Sequence, residues 1–152
     1  MHKPPFHQIY MQLATSLAIR SHCIKMQVGA VLTKDTRAVA TGYNGPPQGT
    51  YNCDEKWPTT GCPRSQRGGC SLALHAEQNA ILYALKNKVD LTNATLYITL
   101  APCLPCARII FSVGITTVYY QDSYACFKAI DIEEGLAFLE KFGIKTIHYP
   151  PA

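Results

Sequence analysis

The sequence contains no apolar run near the roughly 20 residues that a membrane-spanning helix requires. It also lacks a continuous apolar segment behind Met1, an internal repeat and a low-complexity tract, so nothing indicates a secretory signal. Charged residues make up only 16% of the chain, and its lysines and arginines are scattered, whereas a nucleic-acid binder usually gathers them in a basic stripe. We therefore expect a cytoplasmic protein that acts without a membrane or a nucleic acid as partner.

The composition itself predicts a single globular domain over residues 1–152. Hydrophobic residues make up 47% of the chain, which is enough for a buried core. The net charge of +4 suits an anionic small molecule without specifying one. Seven cysteines cannot all pair as disulfides, and in a reducing compartment such cysteines are more often metal ligands or catalytic groups.

The hydrophobic pattern alternates between helical and strand periods. It predicts a first helix over 6–21 and an antiparallel hairpin over 28–43. The second half predicts strand, helix, strand, helix, strand, which requires right-handed parallel crossovers. We therefore expect an α/β fold of three layers, α/β/α, with a mixed sheet of about five strands. Residues 45–71, rich in glycine, proline and cysteine, predict a long loop. A loop of this length is usually functional or held in place, for example by a metal.

Two short motifs carry the chemistry, each at the start of a predicted helix. His75 and Glu77 open the helix predicted over 75–88, while Cys103 and Cys106 lie at the start of the next one. The two cysteines meet on one helical turn, where the positive end of the helix favours thiolates. With His75 they make three protein ligands and leave a fourth tetrahedral position for water, which is typical of catalytic zinc.

Glu77 is the predicted general base and general acid. It follows the ligand His75 by two residues, so it cannot easily bind the same metal but can reach water there, whose pKa zinc lowers to about 7. We expect it to carry a proton to N3 of a cytosine-type base and then to the ammonia leaving C4. The pattern H-x-E … P-C-x-x-C is an established signature of zinc nucleobase deaminases. In the alternative, His75 only caps a helix and the two cysteines form a redox pair or a structural metal site. A redox pair leaves Glu77 unexplained, and a structural site needs a fourth protein ligand.

Beyond these motifs, the sequence resembles the deoxycytidylate (dCMP) deaminases of the cytidine-deaminase superfamily. The resemblance implies a cytidine-deaminase-like fold and hydrolysis of dCMP to dUMP and ammonia, which feeds thymidylate synthesis. It also implies a homohexamer that dCTP activates and dTTP inhibits. The matching segments are spread over nearly the whole chain: Val28-Gly29-Ala30-Val31, Gly42-Tyr43-Asn44-Gly45, His75-Ala76-Glu77-Gln78-Asn79-Ala80-Ile81, Ala101-Pro102-Cys103-Leu104-Pro105-Cys106-Ala107 and Tyr124.

The resemblance also implies roles for residues outside the zinc motifs. Asn44 would contact the sugar or base of the substrate, and Tyr124 would close over it near the phosphate. Tyr83 and Lys86 would flank the nucleotide, with Lys86 as a phosphate partner and Arg108 in a similar role. The residues alone equally allow a turn residue at 44, an exposed aromatic at 124 and a solvated helix face at 86. An effector nucleotide, with Mg²⁺ on its phosphates, is expected near Lys25, Gly42, Tyr43, Asn44 and Gly45.

Four further cysteines suggest a second, structural zinc. Some members of the family carry one, and the corresponding ligands in this chain are Cys23, Cys53, Cys62 and Cys70. A closed site of four thiolates would order the long loop. The spacing is not that of a compact zinc knuckle, so free thiols remain the alternative. Other members use histidine in place of one cysteine, which makes His22 or His7 a substitute ligand.

Two other functions stay open. A deaminase of RNA or DNA bases would share the zinc motif, but it is disfavoured by the scattered basic residues. A non-enzymatic zinc protein on the same fold is disfavoured by the intact Glu77.

Overall fold

The computed structural model describes residues 1–61, 63, 70–122 and 129–151, with only the backbone described for 129–132. The predicted helices and strands are confirmed in these ranges, with shorter helix ends, and the predicted loop also contains one short helix. None of the helices described combines the length and apolarity of a membrane span. The elements are α1 (Phe6–Ala18), β1 (Gly29–Lys34), β2 (Arg37–Tyr43), α2 (Cys53–Lys56), α3 (Ala76–Lys86), β3 (Thr95–Leu100), α4 (Leu104–Ser112), β4 (Thr117–Asp122), α5 (Ala129–Lys141) and β5 (Lys145–His148).

The strands form one sheet in the order β2-β1-β3-β4-β5. β1 pairs antiparallel with β2 and with β3, whereas β3 with β4 and β4 with β5 are parallel. The parallel pairs are connected through α4 and α5, since a parallel connection needs a crossover. The predicted mixed sheet of five strands is therefore confirmed, and it changes from antiparallel to parallel at β3.

The two faces of the sheet bury different helices because successive side chains of a strand point to opposite faces. On one face α1 packs through Met11 against Val31 and Tyr97. On the other face lies the larger core, with Ile110 of α4 and Leu139 of α5 fully buried. Burying one such side chain contributes roughly 1.5–3 kcal/mol. The predicted three layers, α/β/α, are confirmed.

Gly42 of β2 allows α3 to lie directly on the sheet. A Cβ at this position would lie 2.5 Å from the carbonyl oxygen of Ala76 and 2.6 Å from the backbone nitrogen of Ala80. These are backbone atoms, so no change of rotamer could make room for a side chain. Because the contact is made at the first turn of α3, it fixes the part of the helix that carries Glu77 and follows His75.

Candidate active site

His75 stands where the chain passes from extended backbone into α3. Its φ of −72° and ψ of 158° make it the N-cap residue. Its N–H donates to Oε1 of Gln78 at 2.8 Å, and its carbonyl accepts from the N–H of Asn79 at 3.0 Å. These two bonds hold the backbone of His75 in place, while its imidazole projects from the end of the helix toward α4.

Cys103 has the corresponding position at α4. Its φ of −72° and ψ of 169° make it the N-cap residue, and Pro105 lies in the first turn, where proline is favoured. Its carbonyl accepts the N–H of Ala107 at 2.8 Å. Cys106 follows three residues later and is completely buried. Both thiols therefore lie at the N-terminal end of α4, as the sequence predicts.

The two helix starts bring the predicted ligands together. Nδ1 of His75 lies 3.5 Å from Sγ of Cys103 and 3.2 Å from Sγ of Cys106. Zinc held tetrahedrally at about 2.3 Å from sulfur and about 2.0 Å from nitrogen would place such a pair roughly 3.5 Å apart. Ligand atoms of these three residues and of Glu77 all lie within 4.8 Å of one another. The donor set and its spacing thus fit zinc, with Nδ1 as the ligand nitrogen.

Glu77 is buried, with 4% of its surface exposed, on the first turn of α3. Burial raises the pKa of its carboxyl above the ordinary value. A hydrogen bond from the Cys106 thiol and the nearby His75 act in the opposite direction. The carboxyl is therefore placed beside the ligand cluster in an environment that eases its protonation, as a group that both accepts and releases a proton requires.

The two thiols differ in protonation. The hydrogen bond from Cys106 and, to a smaller extent, the nearby His75 together lower the pKa of the Cys103 thiol to about 4. The same hydrogen bond, together with burial, raises the pKa of Cys106 above its usual range. The hydrogen bond with Cys103 raises the pKa of His75 to about 9. Binding a cation through all three groups would therefore release protons, as metal binding by thiols and imidazole ordinarily does.

Hydrogen bonds connect the end of β2 and the turn after it with the segment around His75. The side chain of Asn79 donates to the carbonyl of Tyr43 at 2.8 Å. Gly45 and Leu74 form an isolated bridge, with N···O distances of 3.1 and 2.8 Å. Because Leu74 directly precedes His75, this bridge fixes the direction in which the chain enters the N-cap.

Asn44, predicted to contact the substrate, is engaged with the backbone before β1. Its Oδ1 accepts the N–H of Val28 and its Nδ2 donates to the carbonyl of Met26, both at 2.8 Å. One lone pair and one N–H of the amide remain for other partners. The predicted contact with substrate thus stays a prediction, and a structural role is added to it.

Asn44→Ala is expected to lower the free energy of unfolding by about 1–3 kcal/mol, because two part-buried backbone groups lose their partners. Urea denaturation measures this difference. The matched control is Asn52→Ala, since among the described residues the Asn52 amide bonds only to the exposed carboxylate of Glu55, and it should stay within about 0.5 kcal/mol of the original chain. Equal losses in the two variants would contradict the structural role of Asn44.

The structure places three of the other predicted substrate residues on α3 and α4, and their contact with substrate stays a prediction. Tyr83 is 57% exposed and borders a depression of about 270 Å³ on residues 38–41 of β2. Lys86 follows Glu77 by nine residues, about two and a half turns, so it projects from the opposite side of α3. Arg108 is exposed on α4. Tyr124 lies outside the described residues.

The cysteines of the predicted second site differ in burial. Cys53 is buried at the start of α2, Cys23 is half-buried, and Cys70 is exposed. Among the described residues, these three do not form a group with all ligand atoms within 4.8 Å. Cys70 instead lies near enough to His75 to add to the rise of its pKa. Cys62 lies outside the described residues.

A second group of donors, which the sequence pattern did not single out, lies beside α2. Nδ1 of His22 is 2.8 Å from Oδ1 of Asp54, and Glu55 completes the group within 4.8 Å. The adjoining depression, of about 400 Å³, is lined by residues 21–27 and Asp54, and it includes Lys25, a predicted effector residue. The donors come from the segment after α1 and from α2, which are far apart in sequence, so no local motif indicates them. His7, the other substitute ligand considered, stacks instead on Tyr119.

Comparison with known proteins places these features in a family. Residues 4–122 match the family described as the cytidine and deoxycytidylate deaminase zinc-binding region. The chain is 42% identical over 147 residues to deoxycytidylate deaminase of Saccharomyces cerevisiae, covering 93% of this chain and 44% of the yeast protein. It is 39% identical over 132 residues to deoxycytidylate deaminase of Mycobacterium phage D29, covering 79% of this chain and 97% of the phage protein. The chain thus spans less than half the length of the yeast relative and nearly all of the phage relative.

A solved structure shows the same architecture. The dCMP deaminase of cyanophage S-TIM5, in complex with dCMP and dUMP, superposes with a TM-score of 0.76 at 28% identity. The superposition covers 98% of this chain and 100% of the cyanophage chain. The fold expected from the sequence is therefore also that of a solved relative.

Proposed function

Because this chain belongs to the cytidine and deoxycytidylate deaminase family, we propose that it hydrolyses dCMP to dUMP and ammonia, supplying thymidylate synthesis. The proposal rests on one observation: Glu77 is buried beside His75, Cys103 and Cys106. The last three residues supply the metal ligands that the reaction requires, and Glu77 supplies the proton carrier. The yeast and phage relatives are deoxycytidylate deaminases, and the cyanophage enzyme binds dCMP and dUMP. Both kinds of evidence favour the nucleoside monophosphate as substrate.

The proposal includes a zinc ion on His75, Cys103 and Cys106. When bound there, zinc supplies a Lewis acid that makes water a nucleophile at neutral pH. His75 and Cys103 are the N-cap residues of α3 and α4, and Cys106 lies in the first turn of α4, so two helix starts position all three side chains. The description of the matched family as a zinc-binding region supports zinc over another cation.

Glu77 moves the protons in the proposed reaction. Its carboxylate accepts the proton that water loses as the new bond to C4 forms, and delivers it to N3 of the base. The carboxylate then takes the remaining proton from the hydroxyl newly bound to C4 and passes it to the amino nitrogen. The bond from C4 to nitrogen breaks, ammonia leaves, and C4 becomes a carbonyl. Because burial raises the pKa of this carboxyl above its ordinary value, its carboxylate is a stronger base than an exposed one and accepts the proton more readily.

A panel of substrates tests the proposed activity. Ammonia release from the zinc-loaded chain is measured with dCMP, cytidine, dCTP and a short single-stranded DNA. We expect kcat/KM to be highest for dCMP, because its relatives act on that nucleotide. A preference for the single strand would favour a nucleic-acid deaminase, and inactivity on all four substrates in a zinc-loaded chain would favour a non-enzymatic protein. Either outcome would contradict the proposal.

Regulation by dCTP and dTTP is a further part of the proposal. The depression lined by residues 21–27 is large enough for part of a nucleotide. The ammonium group of Lys25 would bind the phosphates of the effector, and Mg²⁺ would bind the same phosphates. Tyr43 and Asn44 lie between this segment and the start of α3, so they connect the proposed effector site with His75. A dCMP velocity that is unchanged across the physiological range of dCTP would contradict regulation.

Assembly into hexamers, a cytoplasmic location and a second zinc complete the proposal. The outer face of α3 exposes Leu82, Tyr83 and Leu85, each about half-exposed, and apolar side chains gathered in this way favour contact between copies. Thiol ligands suit a reducing compartment. The long segment between β2 and α3 supplies Cys53, Cys62 and Cys70, and with Cys23 these are the ligands proposed for the structural ion.

A further inference from the structure

Gly135 lies on α5 where this helix passes the start of α4. A Cβ built on Gly135 would overlap the carbonyl oxygen of Pro102 and lie 2.8 Å and 3.0 Å from the carbonyl carbon and oxygen of Cys103. All three are backbone atoms, so a change of rotamer could not relieve the contact. The φ of Gly135 is not positive. The position therefore requires glycine for space and not for an unusual backbone conformation.

The segment in contact with Gly135 is held from several sides. The N–H of Ala101 donates to the carbonyl of Asp122 at 2.7 Å, and Pro102 is fully buried. The carbonyl of Cys103 accepts the N–H of Ala107 at 2.8 Å, which is the first hydrogen bond of α4. A side chain at position 135 would push against this carbonyl and against Pro102 together.

We infer that Gly135 is a positioning residue for Cys103. The close approach of α5 sets the backbone of Cys103, and the backbone sets its Sγ, which lies 3.5 Å from Nδ1 of His75. Metal ligands have narrow distance limits, so a shift of a few tenths of an ångström at this backbone weakens the ligand set. The inference rests on the proposed metal site.

Gly135→Ala tests this inference. We expect the Kd for zinc, measured by competition with a chelator, to rise by about 10- to 100-fold, the usual effect of disturbing the residues that orient a ligand. The cobalt-substituted variant should show weaker sulfur-to-cobalt charge-transfer absorption, since one thiolate is displaced. Helix propensity alone predicts no such loss, because alanine is favoured over glycine within a helix.

The matched control is Ala137→Gly, at an exposed position two residues further along α5. It should lower the thermal midpoint of the metal-free chain and leave the Kd for zinc unchanged. In a chain carrying Cys103→Ser, adding Gly135→Ala should weaken zinc binding no further, because the ligand it positions is already absent.

Two results would overturn the positioning role of Gly135, and a third would overturn the proposed metal site instead. Wild-type zinc affinity and cobalt spectrum in Gly135→Ala would overturn the positioning role. So would a Gly135→Ala chain whose far-UV circular dichroism shows that it does not fold, since the inference confines the displacement to residues 102–103. A wild-type chain that binds no zinc would instead overturn the proposed metal site.

Discussion

Glu77→Gln is expected to lower kcat for dCMP by about 10²- to 10⁴-fold, the usual contribution of a general acid and base. The amide has nearly the shape of the carboxyl but cannot carry a proton between water, N3 and the leaving nitrogen. Since the side chain is buried with 4% exposure and burial raises the pKa of the acid, a neutral amide should not destabilise the fold. Steady-state assays of ammonia release measure the loss.

The control for this variant is Glu134→Gln, which makes the same change at an exposed position of α5. It should leave kcat and KM unchanged. Zinc content is measured in both variants, because a loss of metal would imitate the loss of a proton carrier. A Glu77→Gln chain that is fully loaded with zinc and within about tenfold of the original kcat would contradict the role of Glu77.

Cys106→Ser is expected to remove one metal ion per chain. Substituting a residue that only orients a ligand raises the Kd for zinc by up to about 100-fold, and we expect the loss of a ligand to raise it further. Cys106 is completely buried and its Sγ lies 3.2 Å from Nδ1 of His75. Serine keeps the volume but offers a hydroxyl where zinc prefers a thiolate. Deamination of dCMP should fall with the metal content. Elemental analysis of the purified proteins gives the number of ions.

The same measurement counts the second site. A fall from two zinc ions to one in Cys106→Ser would support a structural ion on Cys23, Cys53, Cys62 and Cys70. A fall from one to none would leave only the ion beside Glu77. Cys126→Ser is the matched control, because that cysteine belongs to neither proposed set, and it should change neither count nor activity. Full metal content and activity in Cys106→Ser would contradict the ligand assignment.

The sheet and the ligand cluster could be predicted because their signals are local. Alternating and helical periods locate the strands and helices, and a parallel second half leaves few topologies open. The spacing of Cys103 and Cys106 places both thiols on one turn, and the position of Glu77 beside His75 separates ligand from proton carrier. Each of these inferences needs only residues that are close together in the sequence.

Other features could not be predicted because they depend on contacts between distant segments. The amide of Asn44 engages Met26 and Val28, which precede it by 18 and 16 residues, and the sequence shows only a turn asparagine. Gly135 is required by a carbonyl on another helix, so a helical pattern alone suggests that alanine would serve better. By contrast, the side of α3 from which Lys86 projects can be predicted, because nine residues after Glu77 a helix has turned to its opposite side.

The change from antiparallel to parallel pairing at β3 has a consequence for how the protein matures. His75 and Glu77 precede β3 and follow the hairpin, whereas Cys103 and Cys106 follow β3. During synthesis the imidazole and the carboxylate are therefore made before either thiol of the cluster exists. A nascent chain cannot hold the complete ligand set until β3 has been made and has docked beside β1. The ligand set proposed for the metal is therefore complete only once the two halves of the sheet have joined.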